Sequence, residues 1–281
     1  MFLNEPISSE ILEVKLINLK EMLHSLNSVC IAYSGGVDST FLAKVAKDVL
    51  KENVVAITAT SPIYPLSELE EAKALAEMIG VKHLIIESNE LEIPEFSQNK
   101  TGRCYYCKRG LFEKVEKEAK KCLIHHIADG SNYDDLKDHR PGRRAAKERD
   151  VLSPLVETEL TKEEIRLLSR RMGLPTWKKP SLACLASRIP YYEEITEEKL
   201  RRVENAERVL RGMGFTQVRV RHHKQMARVE LIPEEMSPLS DSLLRVKIHA
   251  ALKGLGFDYI TLDLLGYRTG SMNEVIQKNA D

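Results

Sequence analysis

Val29-Cys30-Ile31-Ala32-Tyr33-Ser34-Gly35-Gly36-Val37-Asp38-Ser39-Thr40 is the stretch on which the fold turns. Its first five residues are mostly apolar and β-prone, which predicts a buried strand. Two glycines permit a tight turn. Past Asp38-Ser39-Thr40, the residues Phe41, Leu42, Val45, Ala46, Val49 and Leu50 recur at helical spacing. A strand, a small-residue turn and a helix N-terminus form an anion site, because backbone N–H groups converge there and the helix dipole favours negative charge. The string is not the common P-loop, which carries its own phosphate-reaching lysine. A glycine turn that merely joins strand to helix is the plainer alternative.

Outward from this stretch, residues 9–27 carry a helical apolar pattern with Ser8-Ser9 as cap. Downstream, strands are predicted at 54–59, 83–86 and 125–128, with helices at 67–79 (stopped by Gly80) and 105–121 between them. This βαβα order predicts a parallel sheet with helices on both faces. Ligands on such sheets sit at the carboxyl ends of the strands, where Gly35-Gly36 and Asp129-Gly130 both fall. A polar, basic stretch follows, including Arg140, Arg143 and Arg144, and then a helix at 161–171 opened by the capping box Thr161-Lys162-Glu163-Glu164. A domain boundary is expected near Pro190, dividing the chain into 1–190 and 191–281. Helix 196–213, strands 216–222 and 226–232, helix 239–254 and strand 257–264 predict a smaller α+β domain with a mixed or antiparallel sheet.

Lysine plus arginine and aspartate plus glutamate balance at 42 each, which argues against a polyanion-binding surface and makes nucleic acid an unfavoured partner. No apolar run approaches membrane-spanning length. Five cysteines are too few and too uneven for a disulfide framework. These features place the chain in the cytoplasm.

Cys104-Tyr105-Tyr106-Cys107 opens a predicted helix. Such a C-x-x-C serves as half a zinc site, a redox pair or part of an iron–sulfur site. Nothing completes four zinc ligands, and a thioredoxin motif belongs after the first strand. Cys184 has loop character, whereas Cys30 and Cys122 read as buried or incidental. Three thiolates from Cys104, Cys107 and Cys184 can hold a [4Fe–4S] cluster and leave one iron free to carry a hydrosulfide. An incidental pair of buried thiols is the competing reading.

Ser34-Gly35-Gly36-Val37-Asp38-Ser39 resembles the PP-loop of the ATP pyrophosphatases. The resemblance implies cleavage of ATP between its α and β phosphates, with Ser34, Gly35, Gly36 and Ser39 cradling phosphate and Asp38 helping to hold Mg²⁺. Further stretches extend the likeness: Arg103-Cys104-Tyr105-Tyr106-Cys107-Lys108, Asp129-Gly130-Ser131-Asn132, Asp138-His139-Arg140-Pro141-Gly142, Cys184-Leu185-Ala186-Ser187-Arg188, Val218-Arg219-Val220-Arg221 and Gly266-Tyr267-Arg268-Thr269-Gly270. Together they resemble the LarE family of ATP-dependent sulfur transferases, which build the nickel-pincer nucleotide cofactor. What this implies is adenylation of the carboxylates of pyridinium-3,5-biscarboxylic acid mononucleotide, followed by displacement of AMP by sulfur, in a homo-oligomer supplied by a sulfide donor. Some members sacrifice a cysteine and others carry a three-cysteine cluster. Cysteines at both C-x-x-C positions, and Ala183 where sacrificial members place theirs, favour the cluster, with Cys184 as the reacting site. By the same resemblance Arg219, Arg221, Glu207 and Glu230 bind substrate, although two solvated strand arginines are the plainer alternative and for both glutamates a solvated face is an equal reading. Arg188, after the cluster cysteine, is a further substrate-binding candidate that stabilises negative charge, with a structural salt bridge as the equal alternative. Tyr105 and Tyr106 could stack on a ring. A tRNA thiolase, an ammonia-using PP-loop ligase and a non-catalytic nucleotide sensor are the rival readings.

Overall fold

The computed structural model describes residues 9–137, 141–180, 183–268 and 271–273. They fall into two compact units, Met1–Ser88 with Cys104–Leu182 and Asn89–Arg103 with Ala183–Asp281.

The first unit opens with α1 (Ser9–Ser25), β1 (Val29–Ala32), α2 (Val37–Leu50), β2 (Val54–Thr60), α3 (Leu66–Ile79) and β3 (Lys82–Glu87). After α4 (Pro94–Ser97), in the segment that belongs to the second unit, come α5 (Arg103–Lys121), β4 (Ile127–Asp129), α6 (Pro141–Lys147), α7 (Pro154–Glu157) and α8 (Lys162–Arg171). The four strands form a parallel sheet in the order β3-β2-β1-β4. Alternation along β1 explains its two covered faces. Val29 and Ile31 join a core with Leu12, Leu16, Leu19 and Leu23 of α1 and Phe41, Leu42 and Val45 of α2. Cys30 turns the other way, into a core with Phe112, Val115 and Ala119 of α5. The predicted stop of α3 is present: Gly80 takes φ +74° and its N–H reaches back to Ala76 and Glu77. No helix among the described residues is long and apolar enough to cross a membrane.

The second unit contains α9 (Glu197–Gly212), β5 (Val218–His223), β6 (Met226–Leu231), α10 (Ser242–Gly254) and β7 (Tyr259–Leu262). Its sheet is mixed, with β5 antiparallel and β7 parallel to β6. Val218 and Val220 pack into a core with Leu210 of α9, Leu252 of α10 and Phe257.

The division differs from the one expected at residue 190. The stretch 89–103 and the loop of Cys184 both belong to the second unit. The reason is a knot of polar contacts around Asn99, which is fully buried. Its amide donates to the carbonyls of Ile189 (3.3 Å) and Pro190 (2.6 Å), and its own carbonyl accepts from Tyr192 N (3.0 Å). Arg103 donates to Asn99 Oδ1 and lies over the Tyr191 ring at 4.5 Å.

Candidate functional site

In the first unit the loop between β1 and α2 makes a phosphate cradle from backbone and two serines. Ser34 Oγ meets Ser39 Oγ at 3.0 Å and accepts from Gly36 N at 3.3 Å. Gly36 caps α2 without a side-chain hydrogen bond, so the helix's first N–H groups stay open. Gly35 takes φ +66°, and a Cβ there would stand 2.9 Å from Ala72 Cβ. Across the cradle, a Cβ on Gly130 would stand 2.9 Å from Ser39 N. Only glycine lets the end of β4 come so close to α2. The cavity so formed, about 250 Å³, is lined by Ser34, Gly36, Asp38, Ser39, Asp129 and Gly130, joined by Thr58, Ser61, Glu68 and Lys108. The structure thus gathers the sequence-predicted nucleotide residues at the carboxyl ends of the strands.

Two of them differ in what they can do. Asp38 Oδ2 accepts from Lys162 Nζ at 2.5 Å, while its Oδ1 is buried with no hydrogen-bond partner among the described residues. That orphaned oxygen suits a hard cation such as Mg²⁺. Asp129 has no such vacancy, since Oδ1 accepts from Ser131 N and Ser153 Oγ and Oδ2 from Ser131 Oγ. It braces the end of β4. Sequence reasoning missed Lys162, whose helix start is fixed by the predicted capping box of Thr161 and Glu164. It also missed Lys179, which donates to the Gly35 carbonyl at 3.3 Å and pairs with Glu68 and Glu71. Arg166 holds this segment by donating to the carbonyls of Trp177 and Lys179.

Cys104 and Cys107 stand one helical turn apart at the start of α5, exposed and half-buried respectively, and Cys184 is a half-buried free thiol in the second unit. Cys30 contrasts with them: burial, then the nearby Cys122 and Glu118, push its thiol up to about 12. Among the described residues no three His, Cys, Asp or Glu side chains form a group that could hold a metal ion. Tyr105 already has partners, donating to Glu148 at 2.6 Å under Arg144, which lies 4.5 Å above its ring. Arg143 is exposed, and Arg140 lies outside the described residues.

The second unit brings the remaining candidates together in an ionic core. Glu207 (1% exposed) and Glu230 (0%) are buried, which overturns the reading of either as solvated. Arg188 binds Glu207 through two parallel bonds, Nε to Oε1 at 2.8 Å and Nη2 to Oε2 at 3.0 Å. Arg221 Nη2 donates to Glu230 Oε2 at 2.7 Å and to Ser271 Oγ at 3.1 Å. Its Nε is buried with no hydrogen-bond partner among the described residues. Arg219 lies over the Tyr267 ring, and burial, then the nearby Arg188, push its guanidinium down to about 10. Burial alone would raise Glu207, but Arg188 more than offsets this and holds the carboxyl below its ordinary value. Among the described residues, three buried arginines of this cluster (188, 219 and 221) thus face two buried glutamates. That surplus of positive charge suits a bound anion.

A family model described as NAD synthase matches residues 13–106. The chain is 47% identical over 267 residues to the uncharacterized protein slr1717 of Synechocystis, covering 95% of this chain and 100% of that one. It is 35% identical over 269 residues to the pyridinium-3,5-bisthiocarboxylic acid mononucleotide synthase of Lactiplantibacillus plantarum, covering 95% and 96% of the two chains. Similarity to the glutamine-hydrolyzing GMP synthase of Aeropyrum pernix is narrower, 28% over 204 residues, 64% of this chain and 38% of that enzyme.

Proposed function

The chain belongs to the LarE-like family of PP-loop ATP pyrophosphatases, and on that premise we propose that it converts the carboxylates of pyridinium-3,5-biscarboxylic acid mononucleotide to thiocarboxylates. A substrate carboxylate oxygen attacks the α-phosphorus of ATP, the α–β bridging P–O bond breaks, and pyrophosphate leaves. A sulfide sulfur then attacks the acyl carbon of the adenylate, and AMP departs with the former carboxylate oxygen. The open N-terminus of α2, Ser34 and Ser39 receive the phosphates. Asp38 Oδ1 is the oxygen that would hold Mg²⁺, whose charge would offset that of the leaving pyrophosphate.

The observation that carries this reading is the unsatisfied Arg221 Nε, buried in the second unit within a cluster of three buried arginines and two buried glutamates among the described residues. A nucleotide whose monophosphate docks on Arg219 and Arg221 would balance that charge. A tRNA thiolase or an ammonia-using ligase gains no such support from it.

For the sulfur source, the family resemblance implies that Cys104, Cys107 and Cys184 would hold a [4Fe–4S] cluster, which would supply sulfide. What supports this is the donor set, three cysteines outside the apolar cores.

The test is pyrophosphate release from ATP and Mg²⁺ with the mononucleotide, tRNA or ammonium offered in turn, and product masses taken throughout. Release that depends on the mononucleotide and yields its thiocarboxylate is expected. Release that depends on tRNA or ammonium would overturn the proposal.

A further inference from the structure

Arg188 sits where a substrate ligand is expected, yet its donors are already spent. Beyond the paired bonds to Glu207, Nη1 donates to the carbonyls of Ala183 (2.6 Å) and Cys184 (3.1 Å) and to Ser187 Oγ (3.0 Å). The side chain is 1% exposed. One guanidinium thus grips the backbone on both sides of the Cys184 α-carbon. The Cys184 carbonyl also accepts from Ser187 N at 3.0 Å, closing the short turn that carries the thiol.

Glu207 is equally committed. Besides Arg188, its Oε1 accepts from Val220 N at 3.1 Å and its Oε2 from Arg211 Nη2 at 2.8 Å. Because β5 is an edge strand among the described residues, this Val220 N–H has no neighbouring strand there to pair with, and the carboxylate satisfies it. Val220 lies between Arg219 and Arg221. Arg221 adds a second tie by donating to the Ser187 carbonyl at 3.1 Å.

We infer that Arg188 and Glu207 are positioning residues: a buried ionic strut that fixes the Cys184 backbone to β5 between Arg219 and Arg221, and so sets the span from sulfur to substrate phosphate. The strut's geometry stands on its own, while its purpose rests on the function proposed above. A sulfur held too loosely reaches the acyl carbon less often, and the adenylate is lost to water. The variants should therefore uncouple the two stages rather than weaken binding.

The test compares wild type with Glu207→Gln and Arg188→Lys, and with Ser187→Ala as a milder cut that keeps both charges. Three quantities are read: mononucleotide affinity by calorimetry, thiocarboxylate formed per pyrophosphate released, and the rate of Cys184 alkylation by iodoacetamide, located by peptide mass. In Glu207→Gln and Arg188→Lys, affinity is expected to stay within about threefold while thiocarboxylate per pyrophosphate falls up to about 100-fold, the cost of a small misplacement. Cys184 alkylation is expected to accelerate, and Ser187→Ala to fall between. A tenfold or greater loss of affinity with unchanged alkylation would overturn the inference and make the pair substrate ligands. If wild type itself makes no thiocarboxylate, the proposed function fails. The alkylation rates then still decide whether the strut holds Cys184.

Discussion

The two sites of this chain are built on opposite plans. The nucleotide cavity of the first unit is made of backbone, two serines and glycines too crowded to carry a Cβ, and it is open, with a carboxylate oxygen to spare. The ionic core of the second unit is made of long charged side chains, buried and bonded almost to saturation. The first leaves polar groups unsatisfied for a ligand to meet. The second holds positive charge in place by packing carboxylates against it, and leaves Arg221 Nε buried without a partner among the described residues. A substitution in the first should cost binding, and one in the second should cost structure.

The largest effect is expected at Gly130. Gly130→Ala forces a Cβ against Ser39 N and should cut pyrophosphate release about 100-fold or more, with little change in thermal unfolding. A variant that bound ATP normally would show that the cradle does not depend on this approach. Asp38→Asn should follow with a loss on the order of 100-fold in pyrophosphate release, together with loss of the Mg²⁺ requirement's steepness, measured by titrating the metal. In the second unit, Glu230→Gln removes the partner of Arg221 and should destabilise that unit by about 3 kcal/mol. The one tryptophan, Trp177, lies in the first unit, so its fluorescence in denaturant should barely shift while far-ultraviolet dichroism loses an early fraction. Equal shifts in both signals would break the contrast between the units.

A smaller effect is expected from acid. Burial, then Arg202 and Lys199, push His222 down to about 4 from an ordinary 6.5. The folded state therefore prefers the neutral ring. Its stabilisation is fully present above pH 6.5 and drains away as pH falls through about 4. Denaturation midpoints of the second unit should decline across that window in wild type and decline less in His222→Gln. Equal slopes would assign the acid sensitivity to other groups. The smallest expected change is at Gly212, where a Cβ meets nothing within 4 Å, and Gly212→Ala should stabilise by about 0.5 kcal/mol.

The same contrast explains what could be read from the chain alone. The nucleotide cradle is written in consecutive residues, because a glycine turn between strand and helix needs no distant partner. Its lysines are not: Lys162 meets Asp38 across 124 positions and Lys179 meets Gly35 across 144. The absence of a lysine in the loop itself was the available signal that one must arrive from elsewhere. Glu207 and Glu230 looked solvated because charge suggests water. Their burial follows from Arg188, Arg221 and the free edge of β5, none of which a local pattern reveals. The grouping of residues 89–103 with the second unit was hidden for a similar reason, since Asn99 ties them to a loop about ninety positions away.

The most direct measurement is the mass of the intact chain before and after turnover with ATP, Mg²⁺ and the mononucleotide, alongside iron and acid-labile sulfide on protein purified without oxygen. About four irons and four sulfides per chain, as a cubane requires, with several thiocarboxylates formed and the chain's mass unchanged, is the expected result. Absence of iron, with one thiocarboxylate per chain and a mass loss of one H₂S at Cys184, would contradict the cluster and make the thiol itself the sulfur that is spent.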